Sequence, residues 1–121
     1  IMVVDDQAFI RQVIGSELSK LGYEVVYGID GIDCLTKLKT TTVKIDLIIM
    51  DVMMPNLDGY ETCRKIRNEL NGTMPIIFLS ANSLKASIIK AVQSGGSDYV
   101  VKDPDPSKLL QKVQEHIGSG N

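Results

Sequence analysis

Five short apolar runs, each followed by a segment with helical spacing, constrain this chain's fold more than any other feature. The runs cover residues 1–4, 24–27, 46–50, 76–79 and 98–101. Four of them are near-continuous stretches of Val, Ile, Leu, Met and Phe rather than alternating ones. Strands read this way when both faces of a parallel sheet are covered. The segments between repeat apolar residues at helical intervals. Ile10, Val13, Ile14, Leu18 and Leu21 do so ahead of Gly22, which stands where a helix C-cap belongs. Tyr60, Cys63, Ile66 and Leu70 follow Asp58, which is spaced from Glu61 as in a capping box. Leu84, Ile88 and Val92 mark a fourth helix ended by Gly95 and Gly96. Leu109, Val113 and Ile117 mark a fifth, with Asp105 as its N-cap and Pro106 in its first turn. A fainter pattern near 32–39 predicts the second helix. Strand and helix alternate five times without a break. The expectation is an α/β fold, a doubly wound parallel sheet with helices on both faces. Right-handed crossovers leave few topologies for it.

Composition narrows the function classes. A chain of 121 residues with 44% hydrophobic and 23% charged residues reads as one folded unit spanning 1–121. The Ser-Gly-Asn end suggests a frayed tail over 117–121. The first residue is not Met, which leaves room for a fragment of a longer protein. A net charge of −2 argues against direct contact with nucleic acid. No apolar run approaches the roughly 20 residues of a membrane helix, so no membrane insertion is expected. Cys34 and Cys63 lie in helical apolar patterns without metal-ligand spacing. Buried thiols in a reducing cytoplasm account for them.

In open α/β sheets the chemistry lies beyond the C-terminal ends of the strands. Here the first strand leads into Asp5-Asp6, the third into Asp51, the fourth into Ser80-Ala81 and the fifth into Lys102. Each group alone has an ordinary explanation as a turn former, cap or solvated lysine. Together they place three carboxylates, a hydroxyl and an ammonium on one edge. Clustered carboxylates repel and raise each other's pKa. A hard divalent cation relieves that repulsion, and few-carboxylate oxygen sites suit Mg²⁺. An aspartate so placed can attack phosphorus as a nucleophile, while cation and lysine neutralise the transferring oxygens.

At this point the chain resembles a known family, the receiver domains of two-component response regulators. The resemblance rests on Ile1-Met-Val-Val-Asp-Asp6, then Asp46 through Asp51-Val-Met-Met-Pro-Asn-Leu-Asp-Gly59, Pro75 through Ser80-Ala81, and Ser94 through Lys102, in that order. It implies a five-stranded flavodoxin-like sheet of order 2-1-3-4-5. It implies Asp51 as phosphoacceptor, assisted by Lys102 and Ser80. It implies Mg²⁺, with Mn²⁺ as a substitute, held by Asp6 and Asp51, by Asp5 through water, and by the Met53 backbone carbonyl. Ser80 and Tyr99 are the implied switch pair. They would act on the surface of the fourth helix, fifth strand and fifth helix, with Tyr99 turning from exposed to buried. The implied donor is a phosphohistidine on a histidine kinase or histidine phosphotransfer protein, and the implied recipient is a downstream effector. The domain would catalyse only its own phosphorylation and slow dephosphorylation.

One position departs from the family pattern. Lys102 is followed by Asp103, where a proline, usually after a cis bond, is expected. A cis bond before a non-proline residue costs roughly 2.5–4 kcal/mol, so a trans bond is expected, with Asp103 as a rival for Lys102. Three other functions compete. A degenerate receiver would act only as a binding module. An aspartyl-phosphate phosphatase would want an acid where Met53 stands. A flavin-mononucleotide binder needs a phosphate cradle after the first strand, where Asp5-Asp6-Gln7 offers negative charge. Met50, Met53 and Met54 read as core or loop packing residues. His116 reads as a surface residue near a helix C-terminus, without chemistry.

Overall fold

The computed structural model describes residues 1–118, so positions 119–121 of the expected tail lie outside the described residues. The elements run β1 (Met2–Val4), α1 (Ala8–Lys20), β2 (Val26–Gly28), α2 (Gly31–Thr40), β3 (Ile48–Asp51), α3 (Gly59–Asn68), β4 (Ile76–Ser80), α4 (Lys85–Gln93), β5 (Asp98–Val101) and α5 (Ser107–Ile117). All neighbouring strands pair in parallel, in the order β2-β1-β3-β4-β5. The expected doubly wound sheet is the observed one.

The strands alternate two apolar sets rather than one apolar and one polar set. Met2, Val4, Ile48, Met50, Ile76 and Phe78 form one core with Cys34 of α2, Cys63 and Ile66 of α3, and Ala91 of α4. Val3, Ile49, Ile77, Leu79 and Val100 form the other with Ile14 and Leu18 of α1 and Leu109 and Val113 of α5. Helices thus cover both faces, as continuous apolar strands require. Both cysteines are buried free thiols, and burial pushes the Cys34 thiol up to about 12.

Caps explain where the helices stop. Gly22 at φ 92° and Gly95 at φ 99° follow α1 and α4 in the left-handed region. After α1, Gly22 N–H donates to the Ser19 carbonyl and Tyr23 N–H to the Leu18 carbonyl. After α4, Gly95 N–H donates to Val92 and Gly96 N–H to Ala91. Both are Schellman endings, which satisfy orphan carbonyls. Asp58 caps α3 by accepting from Glu61 N at 2.8 Å.

Several expectations need correction. β2 begins two residues later than expected, at Val26, because Ile1 C=O takes its bond from Val26 N. Leu70 lies beyond α3, which closes at Asn68. Pro106, not Asp105, occupies the N-cap position of α5; Asp105 instead accepts from Ser107 N at 3.0 Å. Ile117 is not tail: it closes α5 and packs on the second core. Leu84 lies outside α4, at its N-cap, and with Ile88 and Val92 it is exposed to solvent. Ala91 is the residue of α4 that is buried.

Gly59 ties this scaffold to the site. Its N–H donates to the Val52 carbonyl at 2.9 Å, and a Cβ added there would run into the Asp51 carbonyl oxygen. Backbone atoms have no rotamer in which to escape. Gly59→Ala is therefore expected to destabilise the fold by about 1–3 kcal/mol in urea denaturation. An unchanged midpoint would contradict this packing.

Candidate functional site

Strand register brings the site together. Val4 pairs with Met50, Met50 with Phe78, Asp51 with Leu79, and Ser80 with Val101. Asp5, Asp51 and Ser80 therefore finish adjacent central strands at nearly one level. Lys102 follows β5 and donates its N–H to the Ser80 carbonyl at 2.6 Å. Asp51 is the last residue of β3 itself, and Ser80 the last of β4.

Three carboxylates meet at this edge. Asp5 and Asp51 are buried at 1% and 4% exposure, whereas Asp6 is exposed. Oxygens of Asp5, Asp6 and Asp51 lie within 4.8 Å of one another. The Lys102 ammonium stands 3.1 Å from Asp51 Oδ1 and 3.6 Å from Asp5 Oδ2. Asp5 Oδ1 accepts from Gln7 N at 2.9 Å. Asp5 Oδ2 is buried and accepts no hydrogen bond among the described residues. An oxygen in that condition needs a cation or water, and three convergent hard oxygen donors fit a small divalent cation.

Burial, and then the Asp5 carboxylate, push Asp51 up to about 6, against the pull of its Lys102 hydrogen bond. Burial likewise raises Asp5, although the Gln7 N–H and Lys102 oppose it. Burial lowers Lys102, but its hydrogen bond to Asp51 and the charges of Asp51 and Asp5 outweigh this, so its net shift is upward.

Asp103 does not compete for Lys102. No cis peptide occurs among the described residues, so the 102–103 bond is trans. The Asp103 carboxylate accepts instead from Asp105 N at 2.8 Å, folding its own loop into an Asx turn. The lysine still reaches Asp51. Ser80 is buried at the end of β4, and its Oγ accepts from Asn82 N at 3.4 Å. Tyr99 is half-buried, packs against the first core, and donates its hydroxyl to the Asn82 carbonyl at 2.8 Å. The Met53 side chain is 77% exposed; Met50 is fully buried and Met54 partly so. His116 lies exposed on α5, with Nε2 3.2 Å from Asp98 Oδ2.

Two neighbours of the site escaped sequence reasoning. Arg11 donates from Nη1 to the Asp5 carbonyl at 2.6 Å. It lies six residues along the chain from Asp5, and nothing in its spacing marked it. Tyr60 was assigned to the core stripe of α3, but its hydroxyl donates to the Ser87 carbonyl of α4. Nothing in its spacing distinguishes it from a phenylalanine.

The fold and site define a doubly wound α/β domain with an acidic cluster at the topological switch point. Residues 1–114 match the response regulator receiver domain family, to which this chain belongs. A probable transcriptional regulator, ycf27 of Cyanophora paradoxa, is 40% identical over 114 residues, covering 94% of this chain and 46% of that protein. The chemotaxis protein CheY of Treponema pallidum is 34% identical, covering 93% of this chain and 78% of that one. Among solved structures, Vibrio cholerae CheY4 superposes with a TM-score of 0.88 at 30% identity, over 96% of each chain. Thermotoga maritima TrrA, solved with Mg²⁺ and beryllium fluoride, gives 0.84 at 32% identity, over 96% of each chain. The chain spans about half the length of most of the curated relatives it matches. Among the described residues no helix is long and apolar enough to cross a membrane.

The raised Asp51 has a consequence for stability. The folded chain keeps the Asp51 proton up to about 6, whereas an aspartate free of the fold releases it near 3.8. Between those values the unfolded state binds fewer protons, so stability falls as pH rises from about 4 to about 6. In metal-free buffer, Asp51→Asn is expected to flatten that slope and to exceed wild type at pH 7 by roughly 1–3 kcal/mol. Urea denaturation across this range measures both. A variant less stable than wild type at pH 7 would contradict the electrostatic reading.

Proposed function

We propose that this chain, as one receiver unit over 1–121, accepts a phosphoryl group on Asp51 from a phosphohistidine. The donor would be a histidine kinase or histidine phosphotransfer protein in the cytoplasm. The observation that carries this reading is the Lys102 ammonium 3.1 Å from Asp51 Oδ1, beside an Asp5 oxygen that accepts no hydrogen bond among the described residues.

A carboxylate oxygen of Asp51 attacks phosphorus, the new O–P bond forms, and the P–N bond to the donor imidazole breaks. Lys102 lies where it neutralises charge on an oxygen of the group in transfer. Mg²⁺, or Mn²⁺ in its place, would be held by Asp6 and Asp51, by Asp5 through water, and by the Met53 carbonyl; it would supply charge neutralisation at the transferring oxygens. Ser80 closes β4 beside the acceptor and can donate its hydroxyl to the arriving oxygens. Asn82 N–H bonds Ser80 Oγ, and Tyr99 bonds the Asn82 carbonyl. A change at Ser80 therefore reaches Tyr99 through one residue.

The output would be a changed affinity of the α4–β5–α5 surface for an effector. A partner shifts such an equilibrium only by its differential affinity for the two states. The relatives described as transcriptional regulators are about twice this chain's length, so the effector can be a segment of the same polypeptide.

Incubation with Mg²⁺ and acetyl phosphate, followed by intact-mass measurement, tests the acceptor. Wild type is expected to gain one phosphoryl group and Asp51→Asn none. Lys102→Ala is expected to slow the gain on the order of 10²-fold. An undiminished adduct on Asp51→Asn would overturn the assignment.

A further inference from the structure

α4 is held to the rest of the molecule by few groups. Ala91 is its buried residue, and Leu84 at the N-cap position makes no side-chain cap. Ile88, Ile89 and Val92 turn outward, at 39%, 46% and 68% exposure. Apolar burial therefore anchors this helix weakly at its N-terminal half.

Two tyrosines reach that half from other elements. Tyr99 of β5 bonds the Asn82 carbonyl in the lead-in to the helix. Tyr60 of α3 bonds the Ser87 carbonyl, inside the helix, at 3.1 Å. The Lys90 ammonium lies 5.4 Å from the centre of the Tyr60 ring, and the ring meets Phe78 at 5.2 Å in a tilted arrangement. Burial, and then the neighbouring Tyr99, hold the Tyr60 hydroxyl above the ordinary tyrosine value, so it remains a donor. Tyr60 is 6% exposed. It directly follows Gly59, the residue packed against the Asp51 carbonyl.

A buried tyrosine hydroxyl usually finds some partner. A bond to the peptide chain of a separate helix is a different matter, because it fixes the relation of two elements. One side of this bond begins at the acceptor strand. The other is the helix whose outer face is apolar and exposed.

We infer that Tyr60 is a positioning residue of the switch: its hydroxyl pins α4 to the end of α3 that leads from Asp51, so that α4 responds to the state of Asp51. This rests on the reading of Asp51 as the acceptor. Tyr60 and Tyr99 then form a two-point latch, one on the helix and one on the loop before it. Phenylalanine at position 60 keeps the ring, the Phe78 contact and the Lys90 contact, and removes the hydroxyl, with its bond to Ser87 and its contact with Tyr99.

The test combines amide hydrogen exchange with amide chemical shifts, using Mg²⁺ and beryllium fluoride as the phosphoryl mimic. In Tyr60→Phe, exchange of the α4 amides is expected to rise about fivefold, the loss of one ordinary hydrogen bond, with β3 and β4 unchanged. Beryllium fluoride is expected to shift the amides of Asp51, Val52 and Ser80 as in wild type. The accompanying shifts in α4 are expected to fall below half of their wild-type size. Lys90→Ala, which spares the hydroxyl, is expected to keep wild-type exchange and shifts. Wild-type α4 exchange or full α4 shifts in Tyr60→Phe would overturn the proposal. Equal loosening by Lys90→Ala would overturn it too, since general packing would then hold the helix. If beryllium fluoride shifts nothing in wild type, the reading of Asp51 fails and the switch role falls with it. The exchange measurement would still decide whether Tyr60 pins α4.

Discussion

The repulsion between two buried carboxylates, Asp5 and Asp51, is the constraint on which the rest of this structure turns. Parallel register forces it, because β1 and β3 are neighbours and end at one level. Both side chains are largely buried where two central strands end. Lys102 relieves part of the repulsion by approaching both. Asp51 still sits well above the ordinary aspartate range, held there first by its burial and then by the Asp5 charge. The residual imbalance makes the pocket responsive. A site already at electrostatic rest gains little when charge is added or removed, whereas this one gains from a cation and alters when a carboxylate oxygen is esterified.

The architecture was legible because it depends on burial on both sheet faces. Continuous apolar runs such as Ile48-Ile49-Met50 and Ile76-Ile77-Phe78-Leu79 have no polar side to offer, and this dictates helices above and below. The convergence of Asp5, Asp51, Ser80 and Lys102 was legible for the same reason, since strand ends in a parallel sheet share an edge. Element ends were less legible. The bounds of β2 depend on pairing with Ile1, and the N-cap of α5 on a turn made by Asp105. These are bonds between residues that spacing does not relate.

The stripe on α4 shows a different kind of limit. Leu84, Ile88 and Val92 have helical periodicity, so the helix was found, but not which side of it faces solvent. Periodicity measures the segregation of apolar residues and is blind to which side faces the sheet. The buried side of α4 is made by small Ala91, with Tyr60 and Phe78 of other elements beneath it. The opposite side keeps the larger aliphatics.

The Asp103 departure separates what a lysine needs from what its neighbour supplies. The proline expected after Lys102 would shape the β5–α5 loop by fixing a backbone angle. Here the Asp103 carboxylate shapes it by accepting from Asp105 N, and Ser107 closes the next turn on the Asp105 carboxylate. Two successive Asx turns thus carry the chain from β5 into α5 without a cis bond. The Lys102 backbone is independently fixed by its bond to the Ser80 carbonyl. With the backbone held on the strand side and the loop folded on itself, the ammonium has both a fixed origin and an unobstructed path to Asp51. The position of the lysine is therefore a property of the β4–β5 pairing rather than of the residue that follows it.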